Sequence, residues 1–437
     1  MKKHVETEEG SELKKALLIS VYKNSSLKNV CIEHLLELEL LVETFGLKTV
    51  RKEPCFVRKY EASTCITSGK IEEFTQLANE LDAEFIIFDD EITPGQQRNL
   101  EKLFGRSVID RTEVILGVFA QRARTKEARL QVELAQVKYQ APRLKRLWTH
   151  LSRQGGTSGG GAGGGGGHLK GEGEKQIEID RRLLKRDVEK LQNEIKEVKA
   201  MRETQRSFRV KAGIPIFAII GYTNAGKSTL LNALTDADVF VEDKLFATLD
   251  TTTRKFELVN NQEILLIDTV GFIRKLPHLL VAAFKSTLEE SLQADILLHI
   301  IDVSHHMAEE QAAATLEVLT ELGAENKTII TVLNKVDKCE DLSMIARLKV
   351  LYPRTVSISA LKKIGFEELQ ELMIQELNKR RRIVNLQIPQ SAYGAVSEVM
   401  KVGHIINTDY SDNDVILKVE IPISLANKLE RYIVSTE

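Results

Sequence analysis

Cysteine is scarce in this chain of 437 residues and forms no motif. Cys31, Cys55, Cys65 and Cys339 are scattered, with no CxxC pair and no secreted-type framework, so reduced thiols are expected. Long hydrophobic runs are missing too. The first apolar run, Ala16–Val21, is too short for a signal-peptide core, and nothing approaches the roughly eighteen apolar residues that span a bilayer. A cytoplasmic protein without an integral membrane segment is expected, with peripheral membrane association left open. Charge of one sign is the third absence. Lys and Arg number 61 against 63 Asp and Glu, so net charge exerts no pull toward nucleic acid and any basic surface must be local. What remains is an ordinary globular composition, 43% hydrophobic and 28% charged, of a length that predicts two to four domains.

Residues 14–117 read as strands alternating with helices. Ala16–Val21, Glu84–Phe88 and Ser107–Asp110 are strand-like, while Cys31–Phe45 and Ile71–Leu81 carry apolar residues at helical spacing. That alternation implies an N-terminal α/β domain with a parallel sheet. Residues 118–209 read as a helical hairpin. Its first arm is one long helix running to about Ser152, with Pro142 expected to kink or divide it. Between residues 120 and 153 nine Lys or Arg face only Glu127 and Glu133, a local charge of +7. The second arm, about Lys175 to Arg206, is dense in Glu, Lys and Arg at helical offsets.

Between the arms, residues 155–173 hold 12 of the 26 glycines. Composition alone favours a flexible linker. Antiparallel helices, however, need only about two to eight linking residues, so a tip able to enter a narrow site is expected. After a third region, 210–382, the order β-α-β-β-α over 383–437 predicts a small α+β appendage, ferredoxin-like in outline.

The third region carries the chemistry. Gly221-Tyr222-Thr223-Asn224-Ala225-Gly226-Lys227-Ser228 is a complete GxxxxGK[ST] between a strand, Ile214–Ile220, and a helix, Ser228–Leu234. Glycines let the backbone wrap phosphates, Lys227 brings a positive charge to the β- and γ-phosphates, and the Ser228 hydroxyl suits Mg²⁺. Asp268-Thr269-Val270-Gly271 closes an apolar strand. Its acid can hold a Mg²⁺-bound water while the Gly271 N–H meets the γ-phosphate. Asn334-Lys335-Val336-Asp337 closes another strand and selects the base, because the Asp337 carboxylate can accept from both N1–H and the exocyclic amine of guanine. Ser359-Ala360-Leu361, at a further strand end, can present the Ala360 N–H to guanine O6. Each motif alone is an ordinary turn. In this order on successive strand ends they predict a P-loop GTPase domain with a mostly parallel sheet.

Switch I is expected in Phe246-Ala247-Thr248-Leu249-Asp250-Thr-Thr-Thr253, where spacing does not separate Thr248 from the other three threonines as a Mg²⁺ ligand. Phe272 stands where many GTPases carry a Gln that orients the attacking water. Hydrolysis is therefore expected to be slow until a partner or a cation completes the site.

Taken together, the motifs and the hairpin resemble the HflX family of translation-factor-related GTPases, across nearly the whole chain. Gly173-Glu-Lys-Gln-Ile-Glu-Ile-Asp180-Arg181-Arg182 is similar to the family's signature after its glycine loop, and Phe246-Ala-Thr-Leu-Asp250 to its switch I. The resemblance implies Thr248 as the Mg²⁺ ligand beside Ser228, and Lys227, Thr248 and Gly271 as the catalytic set. It also implies the large ribosomal subunit and its rRNA as partners of a monomer, and ribosome splitting or rescue as the role. Asn224 occupies the place used by K⁺-dependent relatives. One departure is clear, since the family's Arg-Gly-Pro-Gly-Glu is Lys170-Gly-Glu172-Gly-Glu174 here. Two alternatives remain: a nucleotide-gated RNA-binding module, and an RNA-modification-associated GTPase with K⁺-stimulated hydrolysis.

Overall fold

A computed structural model describes residues 13–143, 182–201, 214–235, 245, 246, 249, 251–275, 293–324, 326–411 and 413–436. The chain divides into two compact units. The first holds the N-terminal sheet and the paired helices, and takes in Leu245, Phe246, Leu249 and Lys275; the second holds the P-loop sheet and the C-terminal sheet.

In the first unit, β1 (Lys15–Tyr22), β2 (Lys48–Phe56), β3 (Phe85–Phe88) and β4 (Ser107–Asp110) form a parallel sheet in the order β2-β1-β3-β4. Helices α1 (Lys28–Phe45), α2 (Ser68–Glu80) and α3 (Pro94–Phe104) make the crossovers that parallel strands require. Leu17, Ile19, Ile86, Phe88, Phe74, Leu100 and Phe104 form one core. Two elements escape hydrophobic periodicity. β2 is an edge strand carrying Lys48, Arg51, Lys52, Glu53 and Pro54, the charges and proline that edges tolerate. α3 is mostly polar and is set by its ends instead, with Pro94 at its start and a capping box between Thr93 and Gln96.

The long first arm of the hairpin is corrected. It is two helices, α4 (Arg111–Arg122) and α5 (Lys126–Gln140), and the break falls well before Pro142, which lies in a closing 3₁₀ turn. The cause is a cap. Thr125 is extended and its hydroxyl accepts from Ala128 N–H at 3.2 Å, starting a new helix. α5 then buries Leu130 and Leu134 against Leu191 of α6, the helix over residues 182–201, with Val188, Ile195 and Val198 extending the stripe. The 3-4 spacing of 188, 191, 195 and 198 puts one apolar face on the partner helix. The glycine-rich tip at 155–173, the family signature at 173–182 except Arg182, and the basic residues beyond Arg143 lie outside the described residues.

Arg111 is the polar hub of this unit. It is 2% exposed and pairs with Asp89 at 3.0 Å and with Glu37, while Lys275 joins Asp89 at 3.2 Å and Asp90 beside it.

In the second unit the P-loop sheet has the order β10-β9-β8-β5-β7-β6. Strands β5 (Ile216–Gly221), β7 (Glu263–Asp268), β8 (Ile296–Asp302), β9 (Thr328–Asn334) and β10 (Thr355–Ser357) are parallel, and β6 (Thr252–Glu257) is antiparallel to β7. This is the α/β fold with a mostly parallel sheet that the motifs predicted. Helices α7 (Lys227–Thr235), α8 (Ala308–Glu321), α9 (Leu342–Leu351) and α10 (Phe366–Asn378) connect the strands.

The C-terminal sheet is antiparallel, ordered β12-β13-β11-β14, from β11 (Arg381–Pro389), β12 (His404–Ser411), β13 (Asp414–Pro422) and β14 (Ile433–Thr436). Strict alternation in β11 and β13 turns Val384, Leu386, Ile388, Val415, Leu417, Val419 and Ile421 inward, where α11 (Tyr393–Val402) supplies Val396 and Val399. The last helix of the expected β-α-β-β-α order is not the final element: α12 (Ile423–Lys428) stops, and the chain adds β14 against β11. That extra strand completes a split β-α-β of ferredoxin-like order.

Candidate functional site

The site is assembled at the carboxyl ends of β5, β7, β9 and β10, where an open parallel sheet with helical crossovers places its ligands. Gly221 ends β5 with φ 148°, and a Cβ there would stand 2.3 Å from Ile300 O. Only glycine fits so close to the neighbouring strand. Asn224 and Gly226 follow at φ 61° and 94°, curling the loop so that its amides face inward ahead of α7.

Lys227 opens α7 and is 6% exposed. Its ammonium donates to Tyr222 O at 2.7 Å and Gly221 O at 3.2 Å. Burial lowers its pKa to about 8, against a raising influence from Asp268 and a lowering one from Lys335. The Ser228 hydroxyl donates to the Asp268 carboxylate at 2.6 Å. Both are hard oxygen donors, the ligand type Mg²⁺ takes, so this corner fits that ion. Asp268 is fully buried at the end of β7, and the next residue, Thr269, donates its hydroxyl to Ile219 O at 2.7 Å. Gly271 then packs on the P-loop: a Cβ there would lie 2.8 Å from Thr223 Cα and 2.9 Å from Lys227 Nζ.

Asn334 is the joint between the P-loop and the loop after β10. Buried at 2% exposure, it donates from Nδ2 to Ala225 O at 2.8 Å and accepts at Oδ1 from Ala360 N–H at 3.0 Å. The Ala360 amide assigned to guanine O6 thus already has an acceptor, and contact with the base would require sharing it. Lys335 has φ 64° and pairs with Asp302 at 2.7 Å, a partner the motifs gave no reason to name. Asp337 is held below the ordinary carboxylate range, chiefly by a hydrogen bond from Ser359, with Lys362 Nζ 3.6 Å away. It is therefore charged and acceptor-only, as guanine recognition needs. Ser359 is buried, and its hydroxyl accepts from Lys362 N–H at 3.1 Å; Leu361 is exposed.

The structure thus brings together the phosphate loop, Asp268–Gly271, Asn334–Asp337 and Ser359–Leu361. Of the threonine-rich segment, Thr252 and Thr253 begin β6 opposite Asp268 and Ile267. Ala247, Thr248 and Asp250 lie outside the described residues. Phe246 and Leu249 are buried, Phe246 edge-on to Phe119 with ring centroids 4.5 Å apart in the first unit.

Comparison with known proteins covers most of the chain. Residues 32–120 match the family described as GTP-binding GTPase N-terminal, residues 122–209 the GTP-binding GTPase Middle Region, and residues 216–335 the 50S ribosome-binding GTPase. The GTPase HflX of Chlamydia pneumoniae is 46% identical over 421 residues, covering 96% of this chain and 88% of that protein. The GTPase HflX of Escherichia coli is 39% identical over 411 residues, covering 93% of each. Among solved structures, a GTP-binding protein from Sulfolobus solfataricus in complex with GDP is 27% identical, covering 83% of this chain and 98% of its own, with a TM-score of 0.43.

Proposed function

From membership of the HflX family of GTPases, to which this chain belongs, we propose that it binds the large ribosomal subunit and couples its GTP cycle to splitting or rescue of ribosomes. The chain hydrolyses GTP to GDP and phosphate as a P-loop GTPase. The ribosomal part of the reading is carried by one observation, the match of residues 216–335 to the 50S ribosome-binding GTPase family. The basic stretch adds support. Arg124, just before α5, and Lys126 and Arg129 in its first turn are exposed, suited to rRNA phosphates. Arg143 is withdrawn from that set: its guanidinium stacks 3.6 Å from the Tyr139 ring and donates to Ile92 O at 2.7 Å. No helix among the described residues is long and apolar enough to cross a membrane.

In the proposed reaction Lys227 neutralises charge on the β- and γ-phosphates, and the Gly271 N–H donates to the γ-phosphate as charge shifts toward the leaving oxygen. Mg²⁺ would be held by Ser228 and the phosphates, with Thr248 as the switch ligand. It would supply further charge neutralisation. Asp337 selects guanine. Phe272 is 2% exposed and has no polar side-chain atom to orient water, which supports slow hydrolysis by the protein alone. Asn224 at the loop's crest is the residue through which K⁺ would act.

Turnover of GTP with and without purified large subunits, in K⁺ and in Na⁺, tests this. A rate rising severalfold with large subunits is expected, and deletion of 155–173 should abolish the rise. A rate indifferent to subunits and to the cation contradicts both ideas. Tight binding to subunits with a non-hydrolysable analogue but no stimulation would instead favour a nucleotide-gated binding module.

A further inference from the structure

Phe272 contributes its backbone to the phosphate loop. Its N–H donates to Gly221 O at 3.0 Å and its carbonyl accepts from Thr223 N–H at 2.7 Å, an isolated parallel bridge across Tyr222. Two residues on, the Arg274 N–H donates to the Tyr222 hydroxyl at 2.8 Å. Upstream, Thr269 is fastened to Ile219. Gly271 therefore sits between two anchors on the same strand and loop, pressed against Thr223 and the Lys227 ammonium. All of these groups belong to the second unit.

We infer that Tyr222 is a positioning residue for GTP hydrolysis. Its hydroxyl, by accepting from Arg274 N–H, fixes the far end of the Asp268–Gly271 turn so that the Gly271 N–H and Lys227 converge on one γ-phosphate. The ring is 5% exposed, so the hydroxyl is held at the end of a rigid, packed lever. The side chain does not need to touch nucleotide; it acts through Gly271. A group that acts through Gly271 favours the triphosphate complex over GDP, which has no γ-phosphate. Only such a differential interaction changes the preference between the two.

The test uses the full chain and the variant Tyr222→Phe, which keeps the ring and removes the hydroxyl that accepts from Arg274 N–H. A neutral hydrogen bond of this kind is worth roughly a twofold to tenfold change in an equilibrium. Affinity for a non-hydrolysable GTP analogue should fall by about that factor, with a comparable fall in the single-turnover rate. GDP affinity should fall by a clearly smaller factor, and amide exchange at Arg274 should quicken. GDP affinity also reports that the variant is folded. Equal losses for GDP and the analogue would reduce Tyr222 to a structural role, and no loss for either would remove it from the mechanism. A gain in analogue affinity would mean the tether opposes the γ-phosphate, which also overturns the inference. Because every measurement uses the free protein, the outcome is independent of whether ribosomes are bound.

Discussion

Replacing Asn334 by Ala removes a side chain that bonds both the phosphate loop and the loop after β10. The two hydrogen bonds lost are 2.8 and 3.0 Å long, and their partners, Ala225 and Ala360, are 1% and 4% exposed. Each partner left unsatisfied costs about 1–3 kcal/mol, so the variant should lose about 2–5 kcal/mol once some access of water to the gap is allowed. In a domain of this size about 1 kcal/mol shifts Tm by roughly 2–4 °C, which gives a fall of roughly 4–20 °C. The same change uncouples the loop before α7 from the loop after β10, which the proposed function assigns to phosphate and guanine, so GDP affinity should drop by at least tenfold, about 1.4 kcal/mol. Differential scanning fluorimetry, with and without GDP, and fluorescent-nucleotide titration read both effects. Melting within about 2 °C of the parent together with unchanged GDP affinity would mean that neither bond matters to the joint.

Other perturbations separate the physics of the two units. Arg111→Leu takes the guanidinium from the fully buried Asp89 carboxylate and from Glu37, and should destabilise the first unit by about 3–5 kcal/mol in urea unfolding; a loss under about 1 kcal/mol would show the charges to be compensated elsewhere. His299 is 1% exposed in β8, neither ring nitrogen has a hydrogen-bond partner among the described residues, and burial lowers its pKa to about 4. The unfolded chain then binds a proton first, at about 6.5, so stability is whole above that pH and falls as pH drops toward 4, by about 3 kcal/mol in all. His299→Leu should flatten that part of the unfolding profile; an unchanged slope between pH 6.5 and 4 would clear His299 of the effect. For Lys227, bound phosphate should raise a pKa that burial has brought to about 8, so GDP binding above that pH should take up a proton. Calorimetry at pH 9 in buffers of different ionisation enthalpy reads this uptake, and equal heats after buffer correction would contradict it.

The reach of the sequence was set by where physics is local. The phosphate loop was legible because a strand, glycines and Lys227-Ser228 must be contiguous, and Asp268, Asn334 and Asp337 because each closes an apolar strand. The pairing of Lys335 with Asp302 and the bridge between Tyr222 and Phe272 join residues far apart in the chain, and no local pattern marks them. β2 was hidden by its edge charges, and β14 by continuity with the apolar pattern of α12. The break before Thr125 was marked only by a single capping residue inside a strongly helical composition. Arg143 shows the limit of counting charge: it reads as part of a basic stripe, yet Tyr139, Gln97 and Ile92 hold it in place.

Sedimentation of purified ribosomal subunits with this protein in GTP, GDP and a non-hydrolysable GTP analogue reads large-subunit binding and its dependence on nucleotide. The protein should travel with the large subunit in the analogue and be released in GDP. Absence from the large-subunit fraction in every nucleotide state would contradict the proposed function.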